Sequence, residues 1–415
     1  MSPSPIGTQS KAVTLALGVL AILLVVFIII YPDDAFQSSL GGLKLWWNYV
    51  FPALLPFLVV TQLMTGLGVV QAVGVLLDPF MRLFFRIPGI GGWALAAGLT
   101  AGYPAGAELT ASLRKEGRLS VAEAERLLAI SHLCSPVVLI TVIGIGFLHS
   151  AKAGLVLAGI HYLSAILMGI WFRLTAPKEP AGEAAKARKP LRSSDRQGLL
   201  TRSLAALREA RSRDGRAFGK MLGDAVSSAN QTLMIVGGFM ILFAVLTRMA
   251  LLLLPAPLKG LSLFVPGLLE PHLGAYAITQ SALPLPLLLG LLGAAAAWSG
   301  LSLHAQVRSF SLPAGIRYGS FLYARTVHAV LAFGLTLALW KPLAGWLADP
   351  KAAFLPFSGG EWSTASGEPV SGWALLLKGG GPLVWFTGLI ALLGGASLVI
   401  FLTRGLARVF NARRI

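Results

Sequence analysis

The 415 residues are 55% hydrophobic and only 12% charged, with a mean hydropathy of +0.75. Soluble domains carry about 25% charged residues, so an ordinary soluble enzyme is excluded; long apolar runs exclude disorder and collagen despite 47 Gly and 24 Pro. The net charge of +17 is not a nucleic-acid footprint, because residues 175–220 alone hold 12 of the 34 Lys and Arg and most of the others flank apolar segments.

Near the N-terminus, Lys11 introduces ALGVLAILLVVFIII, which lacks a small-residue cleavage site and is long for a signal-peptide core. Residues 1–40 are therefore expected to hold an uncleaved transmembrane helix. A crossing needs about 20 mostly apolar residues. Crossings are predicted near 12–31, 45–77, 120–148, 153–174, 221–254, 284–309, 316–340 and 383–403. Two further stretches, 88–113 and 262–283, are apolar but broken by Gly, Pro and polar residues, and are expected to be re-entrant hairpins. The expected fold class is an all-α polytopic membrane protein with about eight transmembrane helices and two re-entrant hairpins.

Between the two apolar blocks, residues 176–197 read as a flexible linker, poor in large apolar groups. Residues 198–219 place Leu200, Leu204 and Leu207 on one helical face with arginines opposite, which suits either a helix on the inner leaflet or a solvated connector. With both hairpins re-entrant, one side of the membrane receives 24 Lys and Arg and the other 6, and the ratio is still 12 to 6 without the basic loop. The positive-inside rule then makes the richer side, and both termini, cytoplasmic.

The two blocks share a plan. Residues 41–174 and 221–340 each open with an over-long helix, continue through a hairpin and an interrupted crossing (120–148 and 284–309), and close with a continuous helix. Residues 175–220 join them, and 341–415 form an external loop and a last crossing. The first unit starts outside and the second inside, which is the inverted-topology repeat of secondary transporters. Four breaks are expected: Gly102 to Gly106, Ser131 to Pro136, Glu270 to Gln280, and Trp298-Ser299-Gly300. Unwound backbone in lipid costs several kcal/mol per bare group, so such breaks need protein, water or ligand to satisfy them. Half-helix N-termini there suit an anion.

The runs GLKLWWNYVFPALLPFLVVTQLMTGLGVV (42–70), DPFMRLFFRIPGIGGWALAAGLTAGYPAGAELTASL (78–113) and GIHYLSAILMGIWFRL (159–174) resemble the YlbJ/SpoVV family of sporulation integral membrane proteins, over most of residues 40–340. That family belongs to the nucleoside-recognition Gate group and is similar in plan to concentrative nucleoside transporters. The resemblance implies transport of dipicolinic acid across the outer forespore membrane towards the spore. Where the family carries an Asn-Pro pair in the unwound crossing, this chain has Cys134-Ser135-Pro136. Dipicolinate is a flat, doubly negative pyridine dicarboxylate, so its site needs donors and an aromatic slot. The breaks offer Thr100, Tyr103, Ser131, Ser135, Thr279, Gln280, Ser299 and Ser302 as donors, Gly102 and Gly106 as close-approach backbone, and Tyr103, Tyr276 and Trp298 to flank a ring.

Ionisable residues inside membrane segments are functional candidates by default. Glu108 is read either as a coupling carboxylate or as a surface partner of Arg114 or Lys115. Glu270 is read as a cation ligand, a proton exchanger or a helix cap. His132 and His304 are placed at matching positions in the two broken crossings, where each either takes a proton or caps loose carbonyls. Arg325 is expected to pair with Glu108 or Glu270, with a substrate carboxylate as the alternative. His161 and His328 are read as packing residues, Arg173 and Arg248 as snorkelling, and Asp224 as a favourable charge at a helix N-terminus. No catalytic motif is present, and Cys134, the single cysteine, excludes an intrachain disulfide and a multi-cysteine metal site. The expectation is a carrier and not an enzyme, with no metal and no cofactor beyond a coupling Na+ or H+. Its partners would be a small anionic aromatic dicarboxylate, the lipid bilayer and other sporulation membrane proteins. The alternatives are a nucleoside or other metabolite carrier and a structural component that transports nothing.

Overall fold

The computed structural model describes residues 11–175 and 198–348, and every element in those ranges is helical. Among the described residues, five stretches are long and apolar enough to cross a membrane: Pro32–Gly66, Ala151–Thr175, Phe218–Leu253, Leu285–Ala314 and Tyr318–Ala338. Helix α1 (Lys11–Ile30) is apolar all round, yet Leu15, Ile22 and Ile29 are 65–72% exposed and only Phe27 is buried, against Ala35, Val245 and Met249. An uncovered helix without a polar face is stable in lipid and not in water. The chain is a polytopic integral membrane protein. The linker at 176–197, most of the external segment 341–382 and the crossing at 383–403 lie outside the described residues.

The second crossing differs from the expected 45–77. Helix α2 (Pro32–Leu45) starts with Pro32 in its first turn and Asp33 and Asp34 near its positive end, as helix N-termini favour. It runs through one π-helical turn, Trp46–Val50, into α3 (Phe51–Gly66). The start moves earlier because α2 buries Ala35, Gly42 and Leu45, with Gly42 pressed against Met240 and Ala244 of α10 (Phe218–Leu253). The end comes at Gly66 because Gly68, with φ of 82°, turns the chain into the separate helix α4 (Val69–Leu76). Hydropathy does not register that turn, since no polar residue marks it.

After α4 comes the first hairpin, α5 (Gly91–Thr100) and α6 (Ala105–Lys115), then α7 (Val121–Ser131), which opens with a Ser120/Glu123 capping box. Residues 132–135 are unwound, a π-helical segment Val138–Phe147 follows, and α8 (Ala151–Thr175) closes the unit. The linker helix α9 (Leu199–Asp214) packs on α4, burying Leu199 and Ser203. Leu200 and Leu204 point away, 61% and 55% exposed, while Arg202 reaches the buried Asp78 at 3.3 Å. A tight Arg216 cluster with Asp214 (2.6 Å) and Asp224 (2.8 Å) joins α9 to α10. The second hairpin is α11 (Val265–Leu269) and α12 (Pro271–Thr279). The expected break from Glu270 to Gln280 is confined to Glu270, because Glu270 caps α12 and lets the rest wind. Then come α13 (Leu285–Trp298), α14 (Gly300–Ser311), α15 (Tyr318–Ala338) and a short α16 (Trp340–Ala348).

The two units contact each other reciprocally. Helix α7 packs on α15 while α13 packs on α8; α6 packs on α14 while α12 packs on the π-helical segment. Each second hairpin arm thus lies against the other unit's second half-helix. Ion pairs and hydrogen bonds define two ends of the bundle. One end joins Asp78 to Arg202, Arg86 O to Arg126, and Glu125 to Arg317 and Ser320. The other joins Asp34 to Arg248; elsewhere Tyr49 and Tyr276 pack on Phe147, and Lys152 lies over the Trp346 ring.

Candidate functional site: a cavity where the chain breaks meet

Each break frees backbone groups, and several of these find side-chain or backbone partners. Glycines 98 and 106, one from each arm of the first hairpin, close on the Ser131 carbonyl oxygen so tightly that a Cβ at either would collide with it. The hydroxyls of Thr110 and Ser131 lie 3.0 Å apart and both donate to the Gly106 carbonyl, at 2.7 and 3.2 Å. In the unwound stretch the Cys134 N–H donates to His161 Nε2 at 3.0 Å, and its carbonyl accepts from the Tyr162 hydroxyl at 2.9 Å. Ser135 Oγ accepts from the Val138 N–H at 3.3 Å and caps the next half-helix. The second break is a single residue, Ser299, at φ of 70°.

The C-terminal ends of α7 and α13 converge, and the residue between them is Arg325, fully buried. Its guanidinium donates to the carbonyls of His132 (2.7 Å), Ala129 and, more loosely, Ala297 (3.5 Å). The expected pairing with Glu108 or Glu270 is corrected here. A helix C-terminus presents bare carbonyls and partial negative charge, so two converging ends supply the counter-charge without a carboxylate. Glu108 is exposed and forms no ion pair among the described residues, and Arg114 donates instead to Leu119 O.

Four histidines complete this centre. The Ser299 hydroxyl donates to Trp298 O at 2.5 Å, so it accepts from His132 Nε2 at 3.1 Å. His132 caps α7 and Ser299 caps α13, so these two are equivalent and meet across the axis. The expected pairing of His132 with His304 is corrected: His304 lies inside α14, where Nε2 donates to Trp298 O (2.9 Å) and Nδ1 faces the Tyr318 hydroxyl (2.9 Å). His161 and His328 stand at the same place in α8 and α15 and pack ring to ring at 4.7 Å. His328 donates to His161 O at 3.0 Å. The centre is a hydrogen-bonded frame of histidines around one buried arginine.

Beside this frame lies an open-sided cavity of about 80 Å³. The first hairpin contributes Gly102, Tyr103 and Pro104 at its tip, the first break Ser135, the second hairpin Glu270 and His272, and α14 Ser302 and Gln306. Helices α3 and α10 supply an apolar wall with Phe57 and Phe239. Tyr103 is also stacked on His132, with centroids 5.2 Å apart. The cavity therefore offers aromatic faces and several neutral donors, with Glu270 as its acidic side chain.

Over 386 residues the chain is 36% identical to the sporulation integral membrane protein YlbJ of Bacillus subtilis (strain 168), covering 89% of this chain and 92% of that protein. The chain belongs to the YlbJ family. Residues 48–149 also match the Gate family model, described as nucleoside recognition. In this YlbJ family member the Gate segment holds α3, the first hairpin and the first break, so it supplies half of the cavity.

Of the residues singled out from sequence, Gly102, Tyr103, Ser135, Ser302 and Glu270 line the cavity together. The rest do not. Thr100 donates to Ala96 O, and Ser131 and Gly106 seat the hairpin on the break. His132, Ser299 and His304 belong to the central frame, while Trp298 donates to Leu268 O and stacks on His304. Tyr276 packs on Phe147 beside Thr279 and Gln280, at the far end of α12. Sequence reasoning missed His272, Gln306, Thr232 and the two phenylalanines. His272 had a signal in Glu270-Pro271-His272, a polar cluster at a helix start; the others read as ordinary helix.

Proposed function

We propose that this protein is a secondary transporter that carries dipicolinic acid across the outer forespore membrane during sporulation, by alternating access. The observation that carries the reading is the single cavity built from both hairpin tips, the first break and α14. A scaffold has no use for unwound backbone at that depth, whereas a carrier uses it to face a polar ligand. Tyr103, Phe57 and Phe239 suit the flat ring, and the hydroxyls of Ser135 and Ser302 with the Gln306 amide suit carboxylates. Both hairpins are re-entrant on this reading. The end with Arg202, Arg86 and Arg317 is cytoplasmic, and both termini lie on that side.

The second reading is a nucleoside carrier, favoured by the description of the Gate match. Uptake of labelled dipicolinate into proteoliposomes of the purified protein, with uridine as competitor, separates the two. Saturable uptake that resists uridine supports the dicarboxylate reading, and uridine flux without dipicolinate flux supports the second. Ser302→Leu fills the cavity from a position outside the central frame. It should cut flux at least ten-fold with stability retained. Flux unchanged by it would mean the cavity is not the path.

A further inference from the structure

Glu270 and His272 form a dyad on the cavity wall, 97% and 93% buried. Glu270 Oε2 accepts from the Leu273 N–H at 2.7 Å, and Oε1 lies 2.8 Å from His272 Nδ1. A carboxylate accepts only, so Nδ1 carries the hydrogen and Nε2 keeps its lone pair. Nε2 is buried and has no hydrogen-bond partner among the described residues. The other buried histidines differ: His304 and His328 have both nitrogens bonded within the frame, and His132 and His161 sit around Arg325, whose charge opposes a second one. His272 alone pairs a free ring nitrogen with a carboxylate and faces the cavity.

Given the dicarboxylate reading, on which this inference rests, we infer that His272 Nε2 is a proton-loading site that takes up one proton together with the substrate. A dianion entering a cavity that already holds the Glu270 carboxylate meets like charge. A proton taken from solvent onto Nε2 makes an imidazolium whose charge Glu270 balances and whose new N–H donates to a substrate carboxylate. When the substrate leaves, that hydrogen bond breaks and the proton returns to water on the far side, so proton and anion travel together. Imidazole is the side chain suited to exchange a proton between pH 5 and 8. The groups facing the dyad are Tyr103 from the first hairpin, Ser135 from the first break, Ser302 and Gln306 from α14 and Thr232 from α10; Tyr103 is the titratable one among them, and none is a cation.

The test is calorimetric titration of dipicolinate into the full-length purified protein, in buffers of different ionisation heat, which counts protons taken up per ligand. The native protein should take up about one proton near pH 7. His272→Asn keeps a side-chain N–H for Glu270 and removes Nε2; it should take up none and bind at least ten-fold more weakly, the loss of a charge-assisted hydrogen bond. His272→Gln, which places an N–H near the former Nε2, should also lose the proton but recover part of the affinity. The same proton count in native protein and either folded variant, or sodium-dependent binding with no proton uptake, would overturn the inference and leave the dicarboxylate reading standing. Binding of uridine with no binding of dipicolinate would overturn both.

Discussion

Arg325 is a buried charge whose partners are carbonyl oxygens at two helix ends. Its planar fork reaches His132, Ala129 and Ala297 at once, which a lysine ammonium on a flexible stem does not. Arg325→Leu leaves those carbonyls bare, at about 1–3 kcal/mol each, and should lower stability by ~3 kcal/mol or more. Arg325→Lys should recover less than half of that loss. Denaturant unfolding of the detergent-purified protein measures both. Equal stability of native protein and Arg325→Leu would show that the two helix ends do not depend on this cation. The residue was legible in the sequence as a deep charge in a crossing, but not its partners. Backbone carbonyls carry no letter, so sequence reasoning turned to Glu108 and Glu270.

At the scale of elements, the first hairpin is held by the absence of side chains at Gly98 and Gly106, which let both arms reach the Ser131 carbonyl. Gly106→Ala should force the arm outward, cost about 1–3 kcal/mol as overpacking does, and lower flux through the cavity that the hairpin tip lines. Uptake and unfolding measured on the same preparation check it; unchanged values in both would mean that the arms shift freely. The linker helix is anchored differently, by charge. Hydrogen bonds from Arg216 hold the Asp214 carboxyl below its ordinary range. Because the folded value is the depressed one, this anchoring is fully present above about pH 4, the unfolded carboxylate value, and is lost as pH falls through the folded value. The protection factor of the α9–α10 turn against hydrogen exchange should fall on acidification below about pH 4, and Asp214→Asn should show that lower protection already at neutral pH.

For the molecule as a whole, the contacts sort the loops into two ends, which yields a topology prediction. In a Cys134→Ala background, cysteines at Arg213 and Arg317 should label from the cytoplasmic side only. One at Leu258, which is exposed, should label from the opposite side. A membrane-impermeant maleimide applied to intact cells and to inverted vesicles reads the result. Labelling of Arg317→Cys and Leu258→Cys from one side would break the inverted arrangement. The expected sidedness came from counting Lys and Arg around apolar runs, and the ion pair of Glu125 with Arg317 joins the first turns of α7 to the loop before α15.

What the chain order alone determined is the membrane class, the all-helical fold and three of the four expected breaks, at 102–104, 132–135 and 299. These follow from hydropathy and from Gly, Pro and polar residues, which are local properties of a sequence. Tertiary structure decided where the second crossing starts, because α2 is stabilised by α10, more than 170 residues away in the chain. It also decided which residues face the cavity. Thr100, Ser131 and Ser299 look like ligand donors in the sequence, but the frame uses their hydroxyls. His272 looks like a helix residue, yet it is left with a free nitrogen beside the cavity. Whether a polar group serves the backbone or a ligand depends on which freed carbonyls and N–H groups lie nearby, and only the packing of the two units brings those together.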